Sequence, residues 1–105
     1  MALTYRFINA PSASTKKLLT QRMFLGRTAG GEEELKSAGW GAVLLVQGAV
    51  PEMYYAVDIG TKTSPVFASE IIGNCPQHIV TMAFIGNVAD VTQVLSALKN
   101  EGVLL

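Results

Sequence analysis

The chain has a single cysteine, Cys75, which lies in a short polar segment, residues 73–78, that reads Gly-Asn-Cys-Pro-Gln-His. One thiol cannot form a disulfide within the chain or enclose a metal alone. In a cytosolic protein a free thiol stays reduced and can bind metal. Metal chemistry at this cysteine therefore requires other copies of the chain, and the segment predicts an oligomer.

A lone cysteine also has a structural interpretation, because free cysteine is among the residue types most often buried in a core. Cys75 precedes Pro76 in a polar segment, which argues against burial. Pro76 also stiffens the segment by holding its own φ near about −65°. His78 is the nearest other ligand type, but at the start of a strand it is predicted to be structural.

Composition favours a single domain with a surface for a partner. The 105 residues are 50% hydrophobic and 15% charged, a low charge content for a small protein. Part of the apolar surface is therefore expected to face another subunit. Eight basic and eight acidic residues balance, and the basic ones are dispersed, so no nucleic-acid partner is predicted.

No targeting or membrane segment is predicted. Residues 1–11 contain the polar residues Thr4, Arg6 and Asn9 where a secretory signal needs an unbroken apolar core. No apolar stretch approaches the ~20 residues needed to span a bilayer. The expected location is therefore the cytoplasm, with no membrane partner.

Two predicted strands, residues 66–72 and 78–85, flank the cysteine. The second alternates, with Val80, Met82 and Phe84 on one face. Strands this close in sequence pair as an antiparallel hairpin, which would place Cys75 at its tip.

One further strand and two helices are predicted around the hairpin. Residues 42–46 are a continuous apolar run, typical of a strand covered on both faces. Pro51 fits the first turn of a helix, and Asn87 is the predicted N-cap of a last helix that Gly102 ends. The predicted inner faces of these two helices are Met53, Ala56, Val57 and Gly60 in the first, and Val91, Val94, Leu95 and Leu98 in the second. From Gly41 the order is β-α-β-β-α, so the fold class is α+β with a ferredoxin-like antiparallel sheet.

The first 40 residues predict a strand followed by helical pieces. Residues 3–8 alternate like a strand, and residues 14–25 have helical spacing with Ser14 or Thr15 as the cap. The apolar residues of that helix are Leu18, Leu19, Met23 and Phe24. Residues 32–34 are three glutamates suited to a first helical turn, and Gly39 is a natural stop.

Catalysis is not predicted. Tyr54 and Tyr55 are expected at an interface or in the core, because no acid, base or nucleophile is spaced to cooperate with them. The helix that begins at Pro51 is also apolar on a second side, through Tyr55 and Ile59. This predicts a second contact surface on that helix. A small ferredoxin-like enzyme or regulator with a pocket between subunits is the alternative, but no Gly-rich phosphate loop or paired carboxylates support it.

The element order, together with particular residues, resembles the bacterial microcompartment (BMC) shell domain from about Trp40 to Gly102. Residues 56–62 match the family's Asp-x-x-x-Lys helix end through Asp58 and Lys62, and Gly73 begins the loop that lines the family's central pore. Residues 84–91 resemble its strand-to-helix corner. The resemblance places Asp58 and Lys62 at the edge of a hexamer; a helix-dipole contact with an i,i+4 ion pair is the plainer interpretation.

The extra residues at the front resemble the circularly permuted class of these shell proteins. This implies one domain, 1–105, with an N-terminal extension strand and helix (1–31) before a β-α-β-β-α core (40–102). It also implies a non-enzymatic homo-hexamer that tiles with other shell proteins into a microcompartment shell in the cytoplasm, around encapsulated enzymes. In that class the N-terminal strands form a small barrel over the pore, and residues 3–8 are the candidate strand.

The pore loop, Gly73, Asn74, Cys75, Pro76 and Gln77, resembles the Gly-x-Cys-Pro-Gln motif of shell proteins that accompany glycyl radical enzymes. That resemblance implies an iron-sulfur cluster, expected as 4Fe-4S, held by Cys75 of several subunits for electron transfer or cluster delivery across the shell. Six equivalent thiols exceed what one cube binds, so broken symmetry, a three-fold arrangement or idle thiols are expected. The alternative is a cofactor-free metabolite pore.

Overall fold

The computed structural model describes residues 3–23, 30–73 and 78–104. Within these ranges the chain forms a four-stranded sheet and four helices. In chain order the elements are β1 (Thr4–Asn9), α1 (Ala13–Gln21), α2 (Gly31–Ala38), β2 (Ala42–Ala49), α3 (Val50–Thr63), β3 (Phe67–Ile71), β4 (Ile79–Gly86) and α4 (Val88–Asn100).

The sheet has the strand order β1-β2-β4-β3, and every neighbouring pair is antiparallel. The predicted β-α-β-β-α core is confirmed as β2-α3-β3-β4-α4. A ferredoxin-like sheet needs one more strand beside the first strand of that core, and β1 occupies this position. The strand that would follow α4 in the ordinary order therefore comes first here, which is a circular permutation.

The expectation that residues 3–8 form a barrel over the pore is wrong. β1 is an edge strand of the sheet and pairs with β2 along its whole length, from Thr4 opposite Gln47 to Asn9 opposite Ala42. Its side chains pack against the core on both faces, Tyr5 and Phe7 towards one and Ile8 towards the other. Because this pairing and packing occupy the strand, it is a part of the sheet.

The face of the sheet under α3 and α4 carries the main core. Its buried side chains are Leu3, Ala42, Leu44, Val46, Met53, Ala56, Met82, Phe84, Val91, Val94, Leu98 and Val103. The predicted inner face of α3 is confirmed, although Val57 is only partly buried. Gly60 lets α3 approach closely, because a Cβ there would lie 2.8 Å from the ring of Phe84.

The last helix follows the prediction closely. Asn87 is its N-cap, and the Asn87 side chain accepts a hydrogen bond from the Asp90 backbone N–H at 2.8 Å. Leu95 is partly buried, while the other three residues of the predicted face are fully buried. Gly102, with φ 73°, follows the helix in the left-handed conformation that favours glycine.

The opposite face of the sheet, called the second face below, is covered only in part, by α1, α2 and the residues near them. Its buried residues are Met23, Leu35, Val43, Phe67, Ala83 and Ile85. The glutamates open α2 and Gly39 ends it, as predicted. No helix in the described ranges is long and apolar enough to cross a bilayer.

The predicted bounds of the first helix are wrong. α1 begins one residue after Ser12, whose hydroxyl accepts the Thr15 backbone N–H at 3.2 Å, so Ser12 is the cap instead of Ser14 or Thr15. The helix ends at Gln21, before the predicted residue 25. Leu18 is 63% exposed, so it does not pack on the second face with the partly buried Leu19 and the buried Met23. Phe24 lies outside the described residues.

Candidate functional site

The cysteine segment connects β3 to β4, and the predicted antiparallel hairpin is confirmed. Ile71 opposite Thr81 is the last pair between the two strands. Gly73 and His78, on either side of the segment, are exposed. The predicted pore-loop residues Asn74, Cys75, Pro76 and Gln77 lie outside the described residues, so their predicted roles stay predictions.

Arg22 anchors the arm of the hairpin that leads to the cysteine. The Ile72 backbone N–H donates to the Arg22 carbonyl at 2.8 Å, and Arg22 Nη1 donates to the Ile72 carbonyl at 3.0 Å. Cys75 follows Ile72 by three residues in the sequence. The anchor therefore fixes the position of the chain shortly before the cysteine segment.

Sequence reasoning missed Arg22, because it is 50 residues from Ile72 and no local motif marks a contact over that distance. The one available signal was the apolar Met23 directly after it. Met23 is 6% exposed on the second face of the sheet, and its burial brings the end of α1 against the neighbouring strands.

The sheet beneath the hairpin is well paired. Ala49, the last residue of β2, pairs with Ile79, the first residue of β4. Two residues further along β4, the Gln47 side-chain amide donates to Thr81 Oγ1 at 2.9 Å. α3 begins immediately after β2, at Val50. The start of α3 therefore lies at the hairpin end of the molecule, which we call the loop end.

The described residues show where one copy lacks a cluster of metal ligands. Across residues 3–23, 30–73 and 78–104, no group of three or more His, Cys, Asp or Glu side chains could hold a metal ion. His78 is exposed at the residue before β4. The chain contains one cysteine, so a centre with several thiolate ligands needs more than one copy.

Asp58 and Lys62 form an ion pair on the last turns of α3, with Nζ 2.8 Å from Oδ2. The side chains are 60% and 74% exposed, respectively, so the pair contributes only about 0.5 kcal/mol to stability. Lys62 also lies in the last helical turn, where a cation is favoured by the helix dipole. The predicted i,i+4 ion pair and the helix-dipole contact of Lys62 are thus confirmed. The role of the two residues at a hexamer edge stays a prediction.

Tyr55 joins α3 to the residue after α4. Its hydroxyl donates to Glu101 Oε1 at 2.7 Å. This hydrogen bond and the negative charge of Glu101 raise the pKa of Tyr55 above its usual value of 10.0. Tyr54 is 66% exposed and Tyr55 is 49% exposed, so neither belongs to the core of the single chain.

Comparison with known proteins finds similarity to solved structures. No family model matches the chain, and no curated protein matches it. Among solved structures, a ligand-free GrpU microcompartment shell protein from Pectobacterium wasabiae is similar at 28% identity and a TM-score of 0.69. The match covers 90% of this chain and 98% of that one. The chain has the fold of a microcompartment shell protein.

Two further structures share the shell fold. A second ligand-free GrpU shell protein, from a Clostridiales bacterium, is 21% identical with a TM-score of 0.65, over 93% of this chain and 89% of that chain. A fused permuted hexameric shell protein from the RMM microcompartment is 16% identical with a TM-score of 0.66. That match covers 97% of this chain and 46% of the fused chain, so this chain spans about half of it. Its permuted order agrees with the position of β1 in the sheet.

Proposed function

We propose that the chain is a structural subunit of a bacterial microcompartment shell, that it assembles as a homo-hexamer with other shell proteins, and that it is not an enzyme. One observation carries this: the similarity to the Pectobacterium shell protein extends over 90% of this chain and 98% of that chain, at 28% identity. A match over nearly the whole of both chains argues that they share a complete domain. The shell places the protein in the cytoplasm, around enclosed enzymes.

The layout of the subunit supports a ring with the loop end at its axis. α3 starts at the loop end and runs away from it over 14 residues. With a rise of ~1.5 Å per residue, Lys62 lies about 18 Å along the helix from Val50. A loop near the axis would therefore place Asp58 and Lys62 towards the periphery, where contacts between hexamers form.

The second part of the proposal is an iron-sulfur cluster, expected as 4Fe-4S, bound by Cys75 thiolates of several subunits at the pore. The donor chemistry fits, since thiolate is the preferred ligand of such clusters. Each chain offers a single thiol, and this agrees with a centre shared around an axis. When bound, the cluster would supply one-electron chemistry, for electron transfer or cluster delivery across the shell.

The residues of the chain have separate roles in this proposal. Cys75 would supply the ligand, and Pro76 would limit the conformational entropy that the loop loses on binding. Gln77 and the backbone N–H groups of Asn74 and Cys75 would be the hydrogen-bond donors to sulfur, which adjust the potential of a cluster. Arg22 holds the Ile72 end of the loop through the two hydrogen bonds described above.

The test is anaerobic purification with iron and sulfide analysis and native mass spectrometry. We expect brown hexamers with broad absorption near about 400 nm, as is typical of thiolate-bound iron-sulfur clusters. Cys75→Ser should abolish the colour and leave the hexamer intact. His78→Asn, a change at the exposed residue beside the loop, is the matched control and should keep the iron.

The outcomes separate the two parts of the proposal. A monomer under all conditions would contradict the shell assignment. Hexamers that stay colourless after anaerobic reconstitution would contradict the cluster. If those hexamers also transport metabolites equally well with Cys75→Ser, the cofactor-free metabolite pore is the correct function.

A further inference from the structure

The second face of the sheet has an open region at the loop end. Of the buried cluster on this face, Val43, Ala83 and Ile85 lie towards the other end of the sheet, and Met23 follows Arg22, which bonds to Ile72 beside β3, the edge opposite β1. The open region is a shallow cleft of about 520 Å³, called the sheet cleft below. Its lining residues are Thr4, Tyr5, Arg6, Leu45, Val46, Gln47 and Thr81.

The sheet cleft is polar with an apolar floor. Leu45 is half-buried, and around it the Gln47 amide donates to Thr81 Oγ1 at 2.9 Å. Arg6 is the one charged residue of the lining, and it donates to the neighbouring Tyr5 carbonyl at 3.0 Å. No carboxylate among the described residues forms an ion pair with Arg6. The cleft therefore offers hydrogen-bonding groups and a positive charge to whatever enters it.

A second surface, exposed in part, lies on α3, where Tyr54 and Thr61 are exposed and Val57 packs partly against the core. Residues at positions i, i+4, i+7 and i+11 of a helix share one line along it. This line, called the α3 stripe below, consists of Val50, Tyr54, Val57 and Thr61. Tyr55, one position round the helix, reaches Glu101 at the end of α4, so the stripe lies on the flank of α3 away from α4.

Tyr54 is the prominent side chain of the α3 stripe. It is 66% exposed, the most exposed large apolar side chain in the described chain. α3 also contacts β3, the edge strand on that side. Glu70 of β3 is exposed, and it lies on the helix-covered face because its partner Met82 packs into the core there. A carboxylate therefore accompanies the stripe.

The two surfaces are complementary in chemistry. A tyrosine ring with a terminal hydroxyl suits a cleft with an apolar floor and polar walls, and buried tyrosines are frequent anchors of protein interfaces. Arg6 beside the sheet cleft and Glu70 beside the α3 stripe have opposite charges, which favours the same pairing. The surfaces are on different parts of the chain, so a contact between them runs head to tail, and such contacts build rings.

We propose that the α3 stripe of one copy packs into the sheet cleft of the next, with Tyr54 as the anchor and Arg6 facing Glu70. The proposal rests on the ring assembly proposed above and specifies which surfaces build it. Since both surfaces approach the loop end, the contact would also hold neighbouring cysteine loops close to one another.

The first experiment compares Tyr54→Ala with Leu18→Ala by native mass spectrometry and analytical ultracentrifugation. Leu18 on α1 is 63% exposed and lies outside both surfaces, so it is a control of matched exposure. Tyr54→Ala should weaken association about 30-fold or more per interface, the lower limit for an anchor residue. Leu18→Ala should leave the ring unchanged. Circular dichroism of each variant checks that the fold is kept.

A mixing experiment tests the head-to-tail arrangement. Gln47→Trp changes an exposed residue and fills the sheet cleft, so this variant alone should also fail to form rings. A mixture of Tyr54→Ala and Gln47→Trp chains retains one competent interface, between the cleft of the first and the stripe of the second. The expected product is a dimer containing one chain of each kind.

Reversing the charges of Arg6 and Glu70 tests whether these two residues face each other in the ring. Arg6→Glu should weaken the ring by repelling Glu70, and the double variant Arg6→Glu with Glu70→Arg should restore it. Rings that persist in Tyr54→Ala, or a mixture that forms no dimer, would overturn the proposed interface. In that case wild-type hexamers would still support the shell function, whereas wild-type monomers would contradict both.

Discussion

The two faces of the sheet differ in how completely they are covered. α3 and α4 bury the first face along its length, with Leu44, Phe84 and Val94 fully inaccessible. On the second face, burial is incomplete on the side of β1, where Leu45 is only half-buried. A fully covered face contributes mainly to the stability of one chain, whereas a half-open face keeps surface for a partner. The two faces of the sheet therefore differ in how much apolar surface they leave open within one chain.

The largest expected effect tests the covered face. Phe84→Ala should lower the free energy of unfolding by about 3–5 kcal/mol, because it removes a fully buried ring and leaves a cavity. Leu45→Ala, in the sheet cleft, should cost about 1 kcal/mol, since much of that side chain is already in water. Chemical denaturation of the monomer measures both. Equal losses at the two positions would contradict the comparison.

Gly60→Ala tests how closely α3 approaches the sheet. The new methyl group would lie 2.8 Å from the Phe84 ring and 3.0 Å from Val94, both within the core. We expect a loss of about 1–3 kcal/mol in the free energy of unfolding, as for other overpacked cores. Gly73→Ala is the control, because a Cβ there would meet no described heavy atom within 4 Å. If Gly60→Ala were as stable as wild type, the close packing of α3 would be wrong.

Removing the N-cap of α4 on the covered face and of α1 on the second face compares how the helices of the two faces contribute to stability. Asn87→Ala should lower global stability by about 1 kcal/mol, because α4 belongs to the cooperative core. Ser12→Ala should instead raise amide exchange mainly within α1, which contains no buried residue. Hydrogen exchange with mass spectrometry distinguishes the global effect from the local one. A global loss from Ser12→Ala would show that α1 folds together with the core.

The smallest effect concerns Tyr55, at the junction of α3 with the end of α4. Its pKa is raised above 10.0, so the bond to Glu101 stabilises the fold below pH 10 and is lost as the pH rises through the folded-state pKa. Phenolate absorbance should show one tyrosine that titrates late, and Tyr55→Phe should remove it. The small difference in stability between wild type and Tyr55→Phe should vanish in alkali. A late tyrosine that persists in Tyr55→Phe would contradict this assignment.

The sequence predicted the covered face better than the second face, and the reason is physical. The helices of the covered face have strong local signals: apolar residues at helical spacing, Pro51 in the first turn of α3 and the Asn87 cap. Such signals operate within a few residues. The order of elements, with the resemblance to shell domains, was then enough to predict the fold class.

The first 40 residues were harder because their structure depends on distant partners. Residues 3–8 were correctly predicted as a strand, but the pairing of β1 with β2 is set by residues some 40 positions away, as Thr4 with Gln47 illustrates. The same limit applies to the candidate site. The hairpin around Cys75 followed from alternation in the flanking strands, while the anchor at Arg22 depends on tertiary packing. The predicted ligand role of Cys75 awaits the iron analysis.

The contact of Leu3 with Val103 has a further consequence. The Leu3 backbone N–H donates to the Val103 carbonyl at 2.7 Å, and Gly48 leaves room for the Leu3 side chain above it. The residue before β1 and the segment after α4 are therefore held together, and a short covalent bridge between them would cost little loop-closure entropy. Opening the bridged chain just before β2 would give the unpermuted order of elements with the same packing. Permutation can thus change which elements carry the two chain ends while the strand order and the packing of the sheet stay the same.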